Sequence, residues 1–399
     1  MNSARLNDAL DKLTRQVIHS LRQSSRVGIA DAPIVQLIDL ILNQAIEMRA
    51  TDIHIEPQKD CLRIRYRLDG MLTELHPPLD VGIISTFIAR IKIMSAMDTT
   101  KSHVPLDGRI DFVRDAGKID MRTASMPTAH GETLVIRLMD VEEKLKSIEE
   151  LGMSAATEKL FRRLINSPSG MFVVTGPMNS GKSTSLYAAL RELNRSERNI
   201  MTLEDPIEQL IDGINQTDLS GAGEFNFVDG LRAMMRMDCN VIMVGEARDS
   251  ETAKTAVRAA LTGHLILTTL HAKDTCSALF RLLEMGVEPY LLAATLSGVM
   301  SQRLVRRLCP HCREAVDEKT FRAVGCEQCR GTGYRGRLAL HEILPIDEHI
   351  RRLILDRAPL DEIRRTALAN GLVTLFDDGN KKVAEGLTTL DELHRVLSE

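Results

Sequence analysis

The sequence contains no tryptophan, and aromatic residues fill only 3% of its 399 positions. Single-strand nucleic-acid binders stack bases on aromatic rings, so this scarcity counts against a helicase. An excess of basic charge is missing too: 51 Lys and Arg against 55 Asp and Glu leave a formal net charge of -4. That excludes a whole-surface electrostatic trap for a polyanion, though not a local basic patch. Long apolar runs are absent as well. The nearest, Leu291 to Met300, is interrupted by Thr295, Ser297 and Gly298 and is shorter than the roughly 18 residues of a spanning helix. The first twenty-five residues interleave charged and apolar positions, with no continuous apolar core of a signal peptide. No transmembrane segment and no export are expected, so membrane association would have to come through a partner.

What is present is ample material for two or three cores: 44% of residues are hydrophobic and 27% charged. After an amphipathic arm over residues 1–29, Ile34, Leu37, Ile38, Ile41, Leu42, Ala45 and Ile46 fall at helical spacing. Residues 52–56 and 62–67 then alternate at period two, with Leu68-Asp69-Gly70 as a turn. A second helix is expected over Val81 to Met97 and strands over Arg109–Val113, Ile119–Ser125 and Thr133–Leu138, giving a small α+β domain over 30–140 with a largely antiparallel sheet. The charged stretch after Asp140 has little to bury and marks a linker, placed at 141–152. Beyond it Met171–Val174, Ile200–Leu203, Val241–Val244 and Leu265–Thr269 are nearly continuous apolar runs alternating with helices. Strands apolar on both faces belong to a parallel sheet covered on both sides, so residues 153–399 read as an α/β domain whose tail, 346–399, forms short helices.

Chemistry gathers in that second part. Gly176-Pro177-Met178-Asn179-Ser180-Gly181-Lys182-Ser183-Thr184 fits G-x-x-x-x-G-K-[ST] between an apolar strand and a helix. Glycines let backbone N–H groups converge on phosphate, Lys182 can reach the β- and γ-phosphates of ATP, and Ser183 can ligate Mg²⁺. A chance glycine-rich turn is the structural alternative, and the strand-then-helix context argues against it. Two acidic segments close other apolar strands: Glu204-Asp205-Pro206-Ile207-Glu208, and Gly245-Glu246-Ala247-Arg248-Asp249. Hydrolysis needs one carboxylate for the Mg²⁺ shell and one to ready the attacking water, and Glu204 and Glu246 are the candidates. Either alone could equally be a solvated or helix-capping acid. His271 follows a further strand at the same end; a lone histidine is more often a structural donor than a nucleotide sensor.

Cys309-x-x-Cys312 and Cys326-x-x-Cys329 lie thirteen residues apart, a spacing that suits a tetrahedral Zn²⁺ site. Four thiolates leave no open position, so such a metal is structural. Redox dithiols, an iron–sulfur cluster or plain packing are the alternatives. Cys61, Cys239 and Cys276 read as packing residues.

In order, GPMNSGKST, LEDPIE, VIMVGEARD and TGHLILTTLH resemble the Walker A, Asp-box, Walker B and His-box series of the secretion traffic ATPases of the GspE/PilB type. The likeness runs from about residue 30 to the end. It implies a RecA-like P-loop ATPase domain preceded by a small PAS-like domain, a homo-hexameric ring, and ATP turnover converted into domain rotation. Implied partners are an inner-membrane assembly platform protein and its cytoplasmic adaptors, with the protein cytoplasmic and recruited peripherally, and no direct nucleic acid. It also implies Glu204 as base, Glu246 on the Mg²⁺ water, and Arg109 and Arg122 reaching the γ-phosphate, where surface salt bridging is the plain alternative. The tetracysteine element is typical of the assembly and secretion branches. Departures from the family pattern at Met178-Asn179, Asp238-Cys239-Asn240 and Ala247 admit a second reading, a nucleotide-binding subunit that no longer hydrolyses. A RecA-like DNA translocase is the third.

Overall fold

The computed structural model describes residues 3–23, 31–74, 77–114, 117–139, 145–220, 223, 225–317 and 320–398. The chain divides into two compact units, residues 1–143 and 144–399.

In the first unit, helices α1 (Ser3–Gln23) and α2 (Asp31–Glu47) precede strands β1 (Asp52–Pro57), β2 (Cys61–Leu68), β3 (Met71–Glu74) and β4 (Leu79–Asp80). Helix α3 (Ile84–Met94) and strands β5 (Leu106–Arg114), β6 (Gly117–Thr128) and β7 (Gly131–Met139) follow. The strands form an antiparallel sheet of order β3-β2-β1-β7-β6-β5, with β4 also on β2. Alternation puts Ile53, Ile55, Ile64, Tyr66, Leu134 and Ile136 into one core with Ile34, Leu37, Ile38 and Ile41 of α2. Each such buried side chain contributes about 1.5–3 kcal/mol. The amphipathic arm joins that core, since Leu10 and Val17 of α1 are fully buried in it. Asp69 and Gly70 both take positive φ (48° and 88°), the geometry of a tight hairpin turn between β2 and β3. The helix expected over Val81–Met97 is shorter than its apolar pattern. It starts with a single 3₁₀ turn at Val81–Ile83 and stops at Ser95, because Ala96 turns to φ 54°.

The second unit contains α4 (Ala155–Ile165), β8 (Gly170–Thr175), α5 (Lys182–Leu193), β9 (Ile200–Glu204), β10 (Asn215–Asp218) and α6 (Phe227–Met234). Next come β11 (Val241–Val244), α7 (Ser250–Leu261), β12 (Leu265–Leu270), α8 (Thr275–Glu284), α9 (Pro289–Thr295) and β13 (Leu296–Leu308). The chain ends with β14 (Arg313–Ala315), β15 (Phe321–Ala323), β16 (Tyr334–Pro345), α10 (Glu348–Leu355), α11 (Leu360–Ala369), α12 (Leu375–Ala384) and α13 (Leu390–Leu397). The main sheet runs β10-β9-β11-β12-β8-β13-β16, parallel throughout except for the antiparallel pair β13–β16. Residues of β8, β9, β11 and β12 are buried on both faces. On one side they pack against α6, α7, α8 and α9 through Leu231, Ala256, Leu279 and Leu292, and on the other against α4 and α5 through Phe161, Leu164, Leu186 and Leu190. The short stretch before α4 belongs to this second core, since Ile148 and Leu151 are buried in it; residues 141–144 of the expected linker lie outside the described residues.

A smaller cluster, Val305, Leu340, Leu375, Val383 and Leu393, fastens α12 and α13 to the β13–β16 hairpin. There Glu392 is fully buried, accepting from Arg306 (2.7 Å) and Arg395 (2.6 Å), while Arg306 lies 4.1 Å over the ring of Tyr334. Burial raises the Glu392 carboxyl, and the hydrogen bonds from Arg395 and Arg306 outweigh that and hold it at about 2.

Candidate nucleotide site and cysteine knuckle

Parallel strands expose their carboxyl ends at one edge, and β8, β9, β11 and β12 all end there with chemistry attached. Strand β8 runs into the loop Gly176–Gly181, and α5 starts at Lys182 with Gly181 (φ 84°) before it. Asn179 takes φ 61°, a left-handed conformation that asparagine accepts better than most residues, so the Met178-Asn179 variation leaves the loop's shape possible. Lys182 Nζ folds back onto the loop, donating to the carbonyls of Gly176 (2.9 Å) and Pro177 (2.8 Å). Burial holds its ammonium down at about 8, helped by Arg303 and opposed by Glu246 and Glu208.

Glu204 and Glu208 sit in different surroundings. Glu204, on the last residue of β9, is 4% exposed and already satisfied: its carboxylate accepts from Tyr187 Oη, Thr202 Oγ1 (2.5 Å) and Gln216 Nε2 (3.0 Å). Four residues on, Glu208 Oε1 accepts from Ser183 Oγ at 3.1 Å, which places this second acid of the LEDPIE segment beside the hydroxyl expected to meet Mg²⁺. Sequence reading had passed over Glu208, although both glutamates stood in the same segment. Glu246, just past β11, is bracketed by Arg248 Nε (2.7 Å) and His271 Nε2 (3.1 Å). His271 Nδ1–H donates to Gly176 O at 3.2 Å, so this histidine spans from the Walker B acid to the phosphate loop. Thr184 follows in the first turn of α5.

Two further residues come from far along the chain. Gln302, on β13 and 2% exposed, donates from Nε2 to Ser180 O (2.9 Å) and Gly181 O (3.2 Å) and accepts from Ser185 Oγ (2.6 Å). Arg303 donates to Lys273 O (2.6 Å) in the loop after His271. Periodicity could not flag them, because a polar residue on a long strand has no motif around it.

In the first unit, Arg109 and Arg122 are direct cross-strand partners on β5 and β6. Arg122 in turn stands opposite Arg137 on β7, Arg137 opposite Asp52 on β1, and Asp52 opposite Arg67 on β2. The result is one row across five strands of the sheet. Asp52 neutralises its own end, at 3.0 Å from Arg137 and 3.5 Å from Arg67. Arg122 has a buried Nε without a hydrogen-bond partner. Arg137, part of this row, was not among the residues singled out from sequence.

The four cysteines of the two C-x-x-C pairs converge, their sulfurs all within 4.8 Å of one another. Distances of 3.9 Å (Cys309–Cys326), 3.6 Å (Cys312–Cys329) and 3.7 Å (Cys326–Cys329) match the edge of about 3.8 Å that a tetrahedron of Zn–S bonds near 2.3 Å requires. The amides of Cys326 (3.1 Å) and Gly333 (3.2 Å) donate to Cys329 Sγ, an arrangement that favours a thiolate. Cys239 and Cys276 are buried elsewhere in the core of this unit, as packing residues.

Comparison with known proteins agrees with this architecture. Residues 29–395 match the family described as Type II/IV secretion system protein. The Type II secretion system ATPase E of Vibrio cholerae is 44% identical over 92% of this chain and 76% of its own length. The Type IV pilus assembly ATPase TfpB of Acinetobacter baylyi is 41% identical over 92% of this chain and 66% of its own. Among solved structures, the ATPase DotB of Legionella pneumophila superposes with a TM-score of 0.70 over 90% of this chain and 95% of its own, at 23% identity, a likeness of fold. The pilus retraction motor PilT with bound ADP gives 0.62 at 26% identity, over 89% and 95%. With this match over most of its length and its RecA-like sheet, the chain belongs to the Type II/IV secretion system protein family and is an ATPase.

Proposed function

We propose that this ATPase is the motor of a type II secretion or type IV pilus assembly machine, with its nucleotide held by residues 153–399. The observation that carries the reading is the meeting of Lys182, Ser183, Glu208, Glu246 and His271 around one loop at the carboxyl edge of the sheet. Gly176 to Thr184 would cradle the phosphates of ATP. Ser183 and Glu246 would supply the hard oxygens that Mg²⁺ takes, and that ion would neutralise charge on the transferred phosphoryl group.

Glu246 would hold a water on the metal side, and Glu208 would orient the attacking water and accept its proton. Glu204 acts as the buried anchor of the strand end, because its oxygens are already engaged. His271 ties Glu246 to the phosphate loop and so reports on the state of the pocket. Arg109 and Arg122, with Arg137, supply positive charge to the γ-phosphate. Cys309, Cys312, Cys326 and Cys329 would hold a structural Zn²⁺, a reading supported by the sulfur spacing. The working form is a homo-hexamer recruited to the cytoplasmic face of the membrane by a polytopic platform protein and its adaptors. No helix among the described residues is long and apolar enough to cross a membrane.

The test is steady-state hydrolysis with binding of a fluorescent ADP analogue. Lys182→Ala should abolish both. Glu208→Gln and Glu246→Gln should each keep binding and lose at least about a hundredfold in kcat. Glu204→Gln should chiefly lower Tm. Binding retained in Lys182→Ala would overturn the reading, and turnover unchanged in both Glu208→Gln and Glu246→Gln would leave a structural subunit. Stimulation of turnover by DNA would favour the translocase.

A further inference from the structure

Resting on the nucleotide-site reading above, we propose that Gln302 is a positioning residue of the ATPase: it moulds the phosphate loop from behind and sets nucleotide affinity. The parallel register puts Ser301 of β13 opposite Thr175, the last residue of β8, so the next residue, Gln302, arrives alongside Gly176 where the loop begins. The loop is built in contact with it at both ends. A Cβ on Gly176 would come within 2.5 Å of Gln302 O, and one on Gly181 within 2.7 Å of Gln302 Nε2. The motif's two terminal glycines are therefore required by this close approach as well as by their φ angles of 152° and 84°.

The carboxamide is fully used. Its NH₂ takes up two loop carbonyls, of Ser180 and Gly181, and its oxygen takes the Ser185 hydroxyl one turn into α5. Every loop carbonyl turned back onto Gln302 leaves its peptide's N–H directed to the other side, where phosphate oxygens are to be gathered. No other side chain of this size supplies two donors and one acceptor without charge. A glutamate would keep the Ser185 bond while facing two carbonyls with acceptors, and would add a negative charge behind the phosphates. A methionine would fill the space, strip the Ser180 carbonyl of its partner and leave the Gly181 carbonyl with only the Ser185 amide, at 3.2 Å.

Nucleotide affinity in the full-length protein should therefore fall in the order wild type, Gln302→Met, Gln302→Glu, with Kd for the fluorescent ADP analogue raised about tenfold or more in the methionine variant. Ser185→Ala, which removes only the bond that orients the amide, should move Kd the same way by a smaller factor. Ser297→Ala removes a hydrogen bond from the opposite end of β13, to Met171 O, and controls for a general loosening of the strand; its Kd should equal wild type. A Kd unchanged in Gln302→Met, or in Ser185→Ala should the first not fold, overturns the proposal. So does a Ser297→Ala change as large as that of Gln302→Met. Loss of binding in Lys182→Ala with unchanged binding in Gln302→Met would sink this inference alone, whereas binding retained in Lys182→Ala would sink the site reading beneath it.

Discussion

Lys182 donates to two loop carbonyls, and burial holds its ammonium at about 8. Phosphate oxygens favour the charged form, so their arrival raises that value and draws a proton onto the lysine. Above about pH 8, ADP binding should take up protons, and affinity should decline as pH climbs further. Calorimetric titration in buffers of different ionisation enthalpy reads this directly, and equal heats in all buffers would contradict it. The same scale shows where sequence reading stops. That the LEDPIE segment ends an apolar strand of a parallel sheet was legible from its pattern. What surrounds each of its acids was not, because the Tyr187 and Gln216 that engage Glu204 come from other elements.

At the scale of elements, β8, β9, β11 and β12 were readable because burial on both faces leaves a continuous apolar run. The β13–β16 hairpin was hidden, since Arg303, Arg306, Arg337 and other polar residues break its pattern, and only the fold shows that Arg303 reaches a backbone carbonyl and Arg306 a buried carboxylate and a neighbouring ring. The cysteine spacing was legible for the reverse reason, because metal geometry is local. The knuckle is built on little else: β14 and β15 are three residues each, all exposed or half-buried. Removing the proposed Zn²⁺ with a chelator, or one of its thiols by Cys329→Ser, should raise hydrogen exchange in residues 309–334 while the parallel strands stay protected. Protection unchanged across 309–334 would mean that the thiols fold the knuckle without metal.

For the whole molecule, two units with separate cores predict two calorimetric transitions. ADP at about a hundred times its Kd should stabilise the second unit by roughly 2.7 kcal/mol. A non-hydrolysable ATP analogue with Mg²⁺ should raise both transitions if Arg109, Arg122 and Arg137 reach the γ-phosphate. An analogue that shifts only one would remove those arginines from the mechanism.

The buried Glu392 has a practical corollary. Helix α13 lends its carboxylate to a guanidinium that is pressed against Tyr334, and it also roofs Val305 and Leu340. Stopping translation before Thr389 would strand that cation and bare greasy surface, so soluble yield should collapse. A reporter attached past Ser398, which already faces water, should leave expression untouched.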